Sequence, residues 1–198
     1  MSRAAPQLIV IAGPNGAGKT SAAPDLLQDA MGIDAFVNAD VIAQGLSGFR
    51  PQDAAVEAGR IMLARVEELA KRRADFAFES TLSGRTLLTF MRQLAKEGYE
   101  RHVFYLWLPS VEMAIARVRR RAESGGHDVP EETIRRRFAK SLRNFDQLYR
   151  PASTTWRLYD GSDFAGRPLI AHGEGRKEPI IADTARWKVV RGQVEAQK

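Results

Sequence analysis

The stretch QLIVIAGPNGAGKT, Gln7 to Thr20, decides the fold. Its first half is a short apolar run that ends at a glycine, the pattern of a parallel strand buried on both faces. Its second half, Gly13 to Thr20, satisfies G-x-x-x-x-G-K-[ST] at every fixed position. Glycines let successive backbone N–H groups curl around an anion, and a helix starting beyond them aims its positive end at the same point. The plain structural alternative is a glycine-rich strand-to-helix turn. The expected nucleotide-binding set is Gly13, Pro14, Asn15, Gly16, Ala17, Gly18, Lys19, Thr20 and Ser21. Lys19 would neutralise the β- and γ-phosphates as a catalytic cation, and Thr20 would bind magnesium through its hydroxyl. The expected cofactors are ATP (or GTP) and Mg2+.

Working outward, apolar strands alternate with helical patterns. Residues 19–30 read as a helix, with Pro24 near its first turn or kinking it. FVNAD (36–40) reads as a second strand. Pro51 can open a helix running to about Arg72, with Ile61, Leu63, Val66 and Leu69 as apolar positions. FAFE (76–79) is a third strand, followed by a helix for which Ser83 is the expected N-cap and Gly98 the stop. HVFYLWL (102–108) is a fourth strand, stopped by Pro109. Helices over about 110–123 and 131–149 and the strand TWRLYD (155–160) follow. PLIAHG and PIIAD suggest a terminal hairpin before a last helix or strand. The alternation predicts an α/β, P-loop NTPase fold: a parallel sheet flanked by helices, with ligands at the carboxyl ends of its strands.

The bulk numbers fit that reading. The 198 residues suit one domain spanning 1–198, with 163–198 as a C-terminal extension, and 44% hydrophobic with 27% charged residues is ordinary for a globular chain. There is no cysteine, which removes disulfides and thiolate metal sites. The run Leu8 to Ala12 is too short for a signal-peptide core or a membrane span, so a cytoplasmic protein without membrane contact is expected. The net charge of +6 would be accounted for by the triplets Arg119–Arg121 and Arg135–Arg137 alone. TLSGR (81–85) echoes the signature of transporter-type ATPases, but no apolar strand ending in Asp-Glu accompanies it.

Three strand tips should therefore meet: the phosphate loop, Asp40 and Glu79. A kinase needs a base near the attacking hydroxyl and cations over the migrating phosphoryl group. Asp40 is the candidate base, its alternative being the N-cap of a helix starting at Val41. Glu79 is a candidate substrate or magnesium contact, its alternative a carboxylate satisfied by loop amides. Thr81, just beyond it, joins Asp40 and Glu79 as a candidate substrate contact.

RVRRRAESGGHDVPEETIRRRF (117–138) holds seven arginines on two helical segments. Val111, Ala114, Ile115, Val118 and Ala122 make one apolar stripe, with Arg117 and Arg121 on a shared flank. Ile134, Phe138, Leu142 and Phe145 make the other, with Arg135 and Arg137 at its borders. Three consecutive arginines span about 200° of a helix and cannot all face one groove. No nucleic-acid surface is therefore favoured. The segment reads as an arginine-rich lid closing over a triphosphate, with Arg117 and Arg121 as candidate catalytic residues and Arg137 as a nucleotide contact. A solvated hairpin is the alternative, and the better one for Arg119, Arg120 and Arg136. His127 is a candidate ligand contact or a structural part of the lid loop.

GPNGAGKT, VNAD, FES, the lid with its GGHDVPEE turn and YDGS (159–162) together resemble the zeta toxin family of P-loop kinases, over roughly residues 7 to 162. The resemblance implies a nucleoside-monophosphate-kinase-like fold with a five-stranded parallel sheet. It implies γ-phosphate transfer to a sugar hydroxyl of a UDP-N-acetylhexosamine, and a small antitoxin protein as a possible partner. It places Lys19 and Thr20 at the phosphate and magnesium positions, Asp40 at the base and Glu79 at the acidic substrate contact. Where the longer toxins carry an Arg and a His-Pro after the base, this chain has VIAQGLSGFRP. The residues leave open a kinase for another acceptor (a nucleoside, an antibiotic or a nucleic-acid end) and a nucleotide-binding regulatory module.

Overall fold

In the computed structural model, the described residues are 5–29, 32–48, 50–126, 128–163 and 166–196. His127 lies outside them. Strand β1 (Gln7–Ala12) is the spine of a seven-stranded sheet, and its Leu8 to Ala12 side chains are fully buried. Alternate residues feed opposite layers: Leu8, Val10 and Ala12 join one apolar cluster, Ile9 and Ile11 another. This two-sided burial explains why the run is continuously apolar.

In sheet order the neighbours are β2 (Phe36–Val37), β3 (Phe76–Ser80), β1, β4 (Glu100–Trp107) and β5 (Thr155–Asp160), all parallel. The hairpin β6 (Leu169–Gly173) and β7 (Ile180–Ile181) then extends the sheet antiparallel. The five parallel strands are those expected, and the sheet is wider than five because the terminal hairpin joins it.

Helix α1 (Lys19–Pro24) passes into a π-helical turn, Asp25–Asp29, directly after Pro24, which supplies no N–H to the ladder. Next come α2 (Ala39–Leu46) and, after a 3₁₀ turn at Pro51–Ala54, α3 (Ala55–Lys71). Of the apolar positions expected on α3, Val66 and Leu69 are buried, but Ile61 and Leu63 are 40% and 50% exposed. The expectation failed there because these two positions face away from the core that Val66 and Leu69 enter.

Helix α4 (Thr86–Lys96) follows β3, and Ser83 does not cap it; its hydroxyl pairs with Thr81 Oγ1 at 2.9 Å. The helices expected to form a lid are α5 (Val111–Glu123) and α6 (Glu131–Asn144), the latter continuing as a π-helical turn over Phe145–Tyr149 and the short α7 (Arg150–Ala152). Polar residues on that continuation pin the loop after β3. Ser141 Oγ donates to the carbonyl of Thr81 (2.6 Å), Asn144 Nδ2 to that of Leu82 (2.7 Å), and Tyr149 OH to that of Gly84 (2.6 Å). Helix α8 (Thr184–Glu195) closes the chain. No helix among the described residues is long and apolar enough to cross a membrane.

Candidate nucleotide-binding and phosphoryl-transfer site

The phosphate loop leaves β1 at the carboxyl edge of the sheet. Gly16 sits at φ +78°, and a Cβ there would lie 2.8 Å from the carbonyl oxygen of Ala114 on α5. Only glycine allows both that backbone and that approach. The loop is thereby pressed against the first lid helix.

A cleft of about 190 Å³ opens over the loop, and Lys19, Thr20, Asp40, Glu79, Arg117 and Arg121 all line it. Lys19 Nζ donates to the carbonyl of Pro14 in the same loop (3.0 Å). Burial holds the Lys19 proton less tightly than an ordinary lysine does; Glu79 and Asp40 oppose the shift, and Arg121 and Arg137 add to it. Arg137 therefore bears on Lys19 electrostatically without lining the cleft. Asn15, also on the cleft wall, is buried and its Oδ1 has no hydrogen-bond partner.

Glu79 lies near the end of β3, where the register pairs it with Ile11 of β1. Its two carboxylate oxygens share the single Thr20 hydroxyl proton, at 3.0 and 3.1 Å from Oγ1, and Oε2 also accepts from Asn38 Nδ2, at 2.5 Å. Burial raises its pKa above the ordinary carboxylate value; Lys19, the Thr20 hydroxyl and Arg121 pull it back, while Asp40 pushes it further up. A hydroxyl and a carboxylate in contact, with a second carboxylate facing the same cleft, make the hard oxygen set that magnesium prefers. The residues present fit that ion. Loop amides do not satisfy Glu79, as one reading of the sequence had it; side chains do.

Asp40 reaches the cleft by a different route from the one expected. β2 ends at Val37, and Asp40 stands in the first turn of α2. The N-cap is Asn38, whose Oδ1 accepts from the N–H groups of Asp40 (2.8 Å) and Val41 (3.4 Å). Asn38 thus caps the helix that carries Asp40 and, with its other amide atom, holds Glu79. Sequence reading passed over it, although an Asn two residues before an Asp at a helix start is a recognisable capping pattern.

The lid splits its arginines. Arg121 lines the cleft beside Lys19 and Glu79. Arg117 also lines it, but its guanidinium donates to the carbonyls of Gly161 (2.6 Å) and Ser162 (2.7 Å), and at 3.4 Å to that of Gly16. Arg119 and Arg135 point outward to Glu131 at 3.7 and 2.8 Å, and Arg135 also reaches Glu112 at 3.2 Å. Exposed pairs of this kind contribute little to stability. Thr81, expected near the substrate, is occupied instead by Ser83 and Ser141 and is not among the cleft residues.

Comparison with known proteins agrees with this architecture. An uncharacterized protein of Haemophilus influenzae is 32% identical over 130 residues, 66% of this chain and 91% of its own length. A chain of the AvrRxo1-ORF1:AvrRxo1-ORF2 structure with sulphate ions superimposes with a TM-score of 0.75 at 18% identity, covering 94% of this chain. This chain spans 63% of that one's length. A chain of the PezAT chromosomal toxin-antitoxin system of Streptococcus pneumoniae gives a TM-score of 0.65 at 15% identity, covering 100% of this chain and 89% of its own. A shikimate kinase from Acinetobacter baumannii, solved with shikimate, gives 0.50 at 22% identity, covering 83% of this chain and 88% of its own. At these identities the structural likeness speaks for the fold alone, a P-loop kinase-like fold with a mostly parallel sheet. In sequence, residues 8–148 match the AAA domain family across β1, both lid helices and every loop that forms the cleft. The chain belongs to the AAA domain family.

Proposed function

We propose that the chain is a magnesium-dependent kinase that moves the γ-phosphate of ATP (or GTP) to a hydroxyl of a small molecule. The observation that carries this reading is the meeting of Lys19, Thr20, Asp40, Glu79 and Arg121 on one cleft above a phosphate loop. Phosphoryl transfer asks the protein for positioning and charge rather than covalent chemistry, and these five residues supply both. Backbone N–H groups of Asn15, Gly16 and Gly18 to Thr20 bind the β- and γ-phosphates. Lys19 leaves the Pro14 carbonyl to neutralise them, and Arg121 covers the oxygens of the group in transit. Thr20 and Glu79 would hold magnesium, which would supply charge screening for the phosphates. Asp40 takes the proton of the acceptor hydroxyl as its oxygen bonds to the γ-phosphorus. The bond from that phosphorus to the β–γ bridging oxygen breaks, and the nucleoside diphosphate leaves.

The acceptor we favour is a sugar hydroxyl of a UDP-N-acetylhexosamine, with a small antitoxin protein as a possible partner. That choice rests on the motifs shared with zeta toxins and is supported by likeness to solved chains whose names describe a toxin-antitoxin system. Mass spectrometry of reactions with Mg2+, ATP and UDP-N-acetylglucosamine tests it, with Lys19→Ala as the blank. A phosphorylated sugar nucleotide absent from the blank is the expected result. Transfer only to a nucleoside, an antibiotic or an oligonucleotide end would replace the acceptor, and no transfer to any of these would leave a nucleotide-binding module. In the working assay, Asp40→Asn should lower kcat by roughly 10²- to 10⁴-fold while Mg–ATP binding is retained.

A further inference from the structure

Helix α8 lies beyond the residues that match the AAA domain family, yet it grips the two strand ends that abut the phosphate loop. At the end of β4, Gln193 Oε1 accepts from Trp107 Nε1 (2.7 Å), and Gln193 Nε2 donates to the carbonyl of Pro109 (2.5 Å). At the end of β5, Arg186 Nε donates to Asp160 Oδ2 (2.8 Å). Asp160 is 3% exposed, so its charge depends on the partners it has. Its other oxygen accepts from the N–H of Ser162 (2.7 Å), which folds residues 160–162 into a tight turn. That turn presents the carbonyls of Gly161 and Ser162 to the Arg117 guanidinium, which also reaches Gly16 of the phosphate loop. The turn itself touches the loop: a Cβ at Gly161 would stand 2.9 Å from the carbonyl oxygen of Ala17.

We infer that Arg186, Asp160 and Arg117 form a relay by which α8 fixes the position of the phosphate loop, making Arg117 and Arg186 positioning residues for the nucleotide. Arg186 neutralises Asp160, Asp160 shapes the turn, and the turn orients Arg117 against Gly16. Without Arg186 the buried carboxylate loses its main cation, the turn rearranges, and Arg117 no longer holds the loop in its phosphate-binding shape. The assignment moves Arg117 from catalysis to positioning. It rests on the nucleotide-binding reading of the cleft.

Titration calorimetry of the full chain with Mg–ATP tests the relay without knowledge of the acceptor. Arg186→Ala is expected to weaken Mg–ATP roughly tenfold, as small displacements in a preorganised site do. Arg186→Lys, which keeps a cation near Asp160, should recover part of the loss. Arg117→Ala should weaken binding to a similar degree, and the double variant no further than Arg117→Ala alone, because residues acting in series are not additive. A merely structural role would lower Tm and leave the affinity of the folded protein unchanged. Asp160→Asn, which keeps an acceptor for Ser162, serves if Arg186→Ala folds poorly, and should weaken binding in the same way. Wild-type affinity in Arg186→Ala, or multiplying effects in the double variant, would overturn the relay. If the wild type binds no Mg–ATP at all, the nucleotide reading and the relay fall together. If the wild type binds and Lys19→Ala does not, the relay is judged on its own.

Discussion

Single atoms decide how the cleft works. Gly126 is the clearest case: a Cβ there would stand 2.7 Å from Arg121 Cγ and 2.9 Å from the Arg121 carbonyl oxygen. The second glycine of the turn after α5 therefore leaves room for the Arg121 stem. Gly126→Ala is expected to displace Arg121 and lower kcat roughly 10- to 100-fold; wild-type turnover would remove Arg121 from the transition state. Glu79 carries a pH signature. Burial disfavours its charged form, so its carboxylate takes up a proton at a higher pH than an ordinary glutamate does. If the ionised form holds magnesium, Mg–ATP affinity is full at alkaline pH and is lost as pH falls through this raised pKa, above the ordinary 4.5. Calorimetry across pH should show that loss in the wild type. In Glu79→Gln the affinity should be lower and nearly flat with pH; an unchanged profile would assign the titration to another group.

Secondary-structure elements were legible where a pattern is local and obscured where a neighbour intervenes. TWRLYD reads as a strand from its own alternation and is one, Thr155–Asp160. FVNAD reads as a strand because Phe, Val and an acidic tip fit that pattern, but Asn38 caps α2 and ends the strand at Val37. Capping competes with the strand ladder for the same backbone groups, and here it wins. On α3 the periodicity of Ile61, Leu63, Val66 and Leu69 is real, but burial depends on what faces each position. Leu69→Ala should cost about 2–5 kcal/mol and Leu63→Ala under about 0.5 kcal/mol, read by denaturant unfolding; equal costs would mean that Leu63 is covered in solution.

For the molecule as a whole, ligand binding and folding are linked. A nucleotide that binds only the native state should raise stability by about 2.7 kcal/mol at a hundredfold excess over its Kd. Thermal unfolding should show Mg–ATP raising Tm in the wild type and not in Lys19→Ala; equal rises in both would place the nucleotide elsewhere. By itself the sequence determined the phosphate loop, the alternation of strands and helices, the parallel sheet, and the gathering of Asp40, Glu79 and Arg121 on one cleft. Each of these follows from local periodicity, turn chemistry or the rule that ligands collect at strand carboxyl ends. Only the tertiary structure decided that Asn38 holds Glu79, that Ser141 of α6 bonds the Thr81 carbonyl, and that Arg186 of α8 pairs with Asp160. Those contacts join residues 26 to 60 positions apart. No periodicity within a short window records which distant donor meets which acceptor; the packing of helices on the finished sheet does.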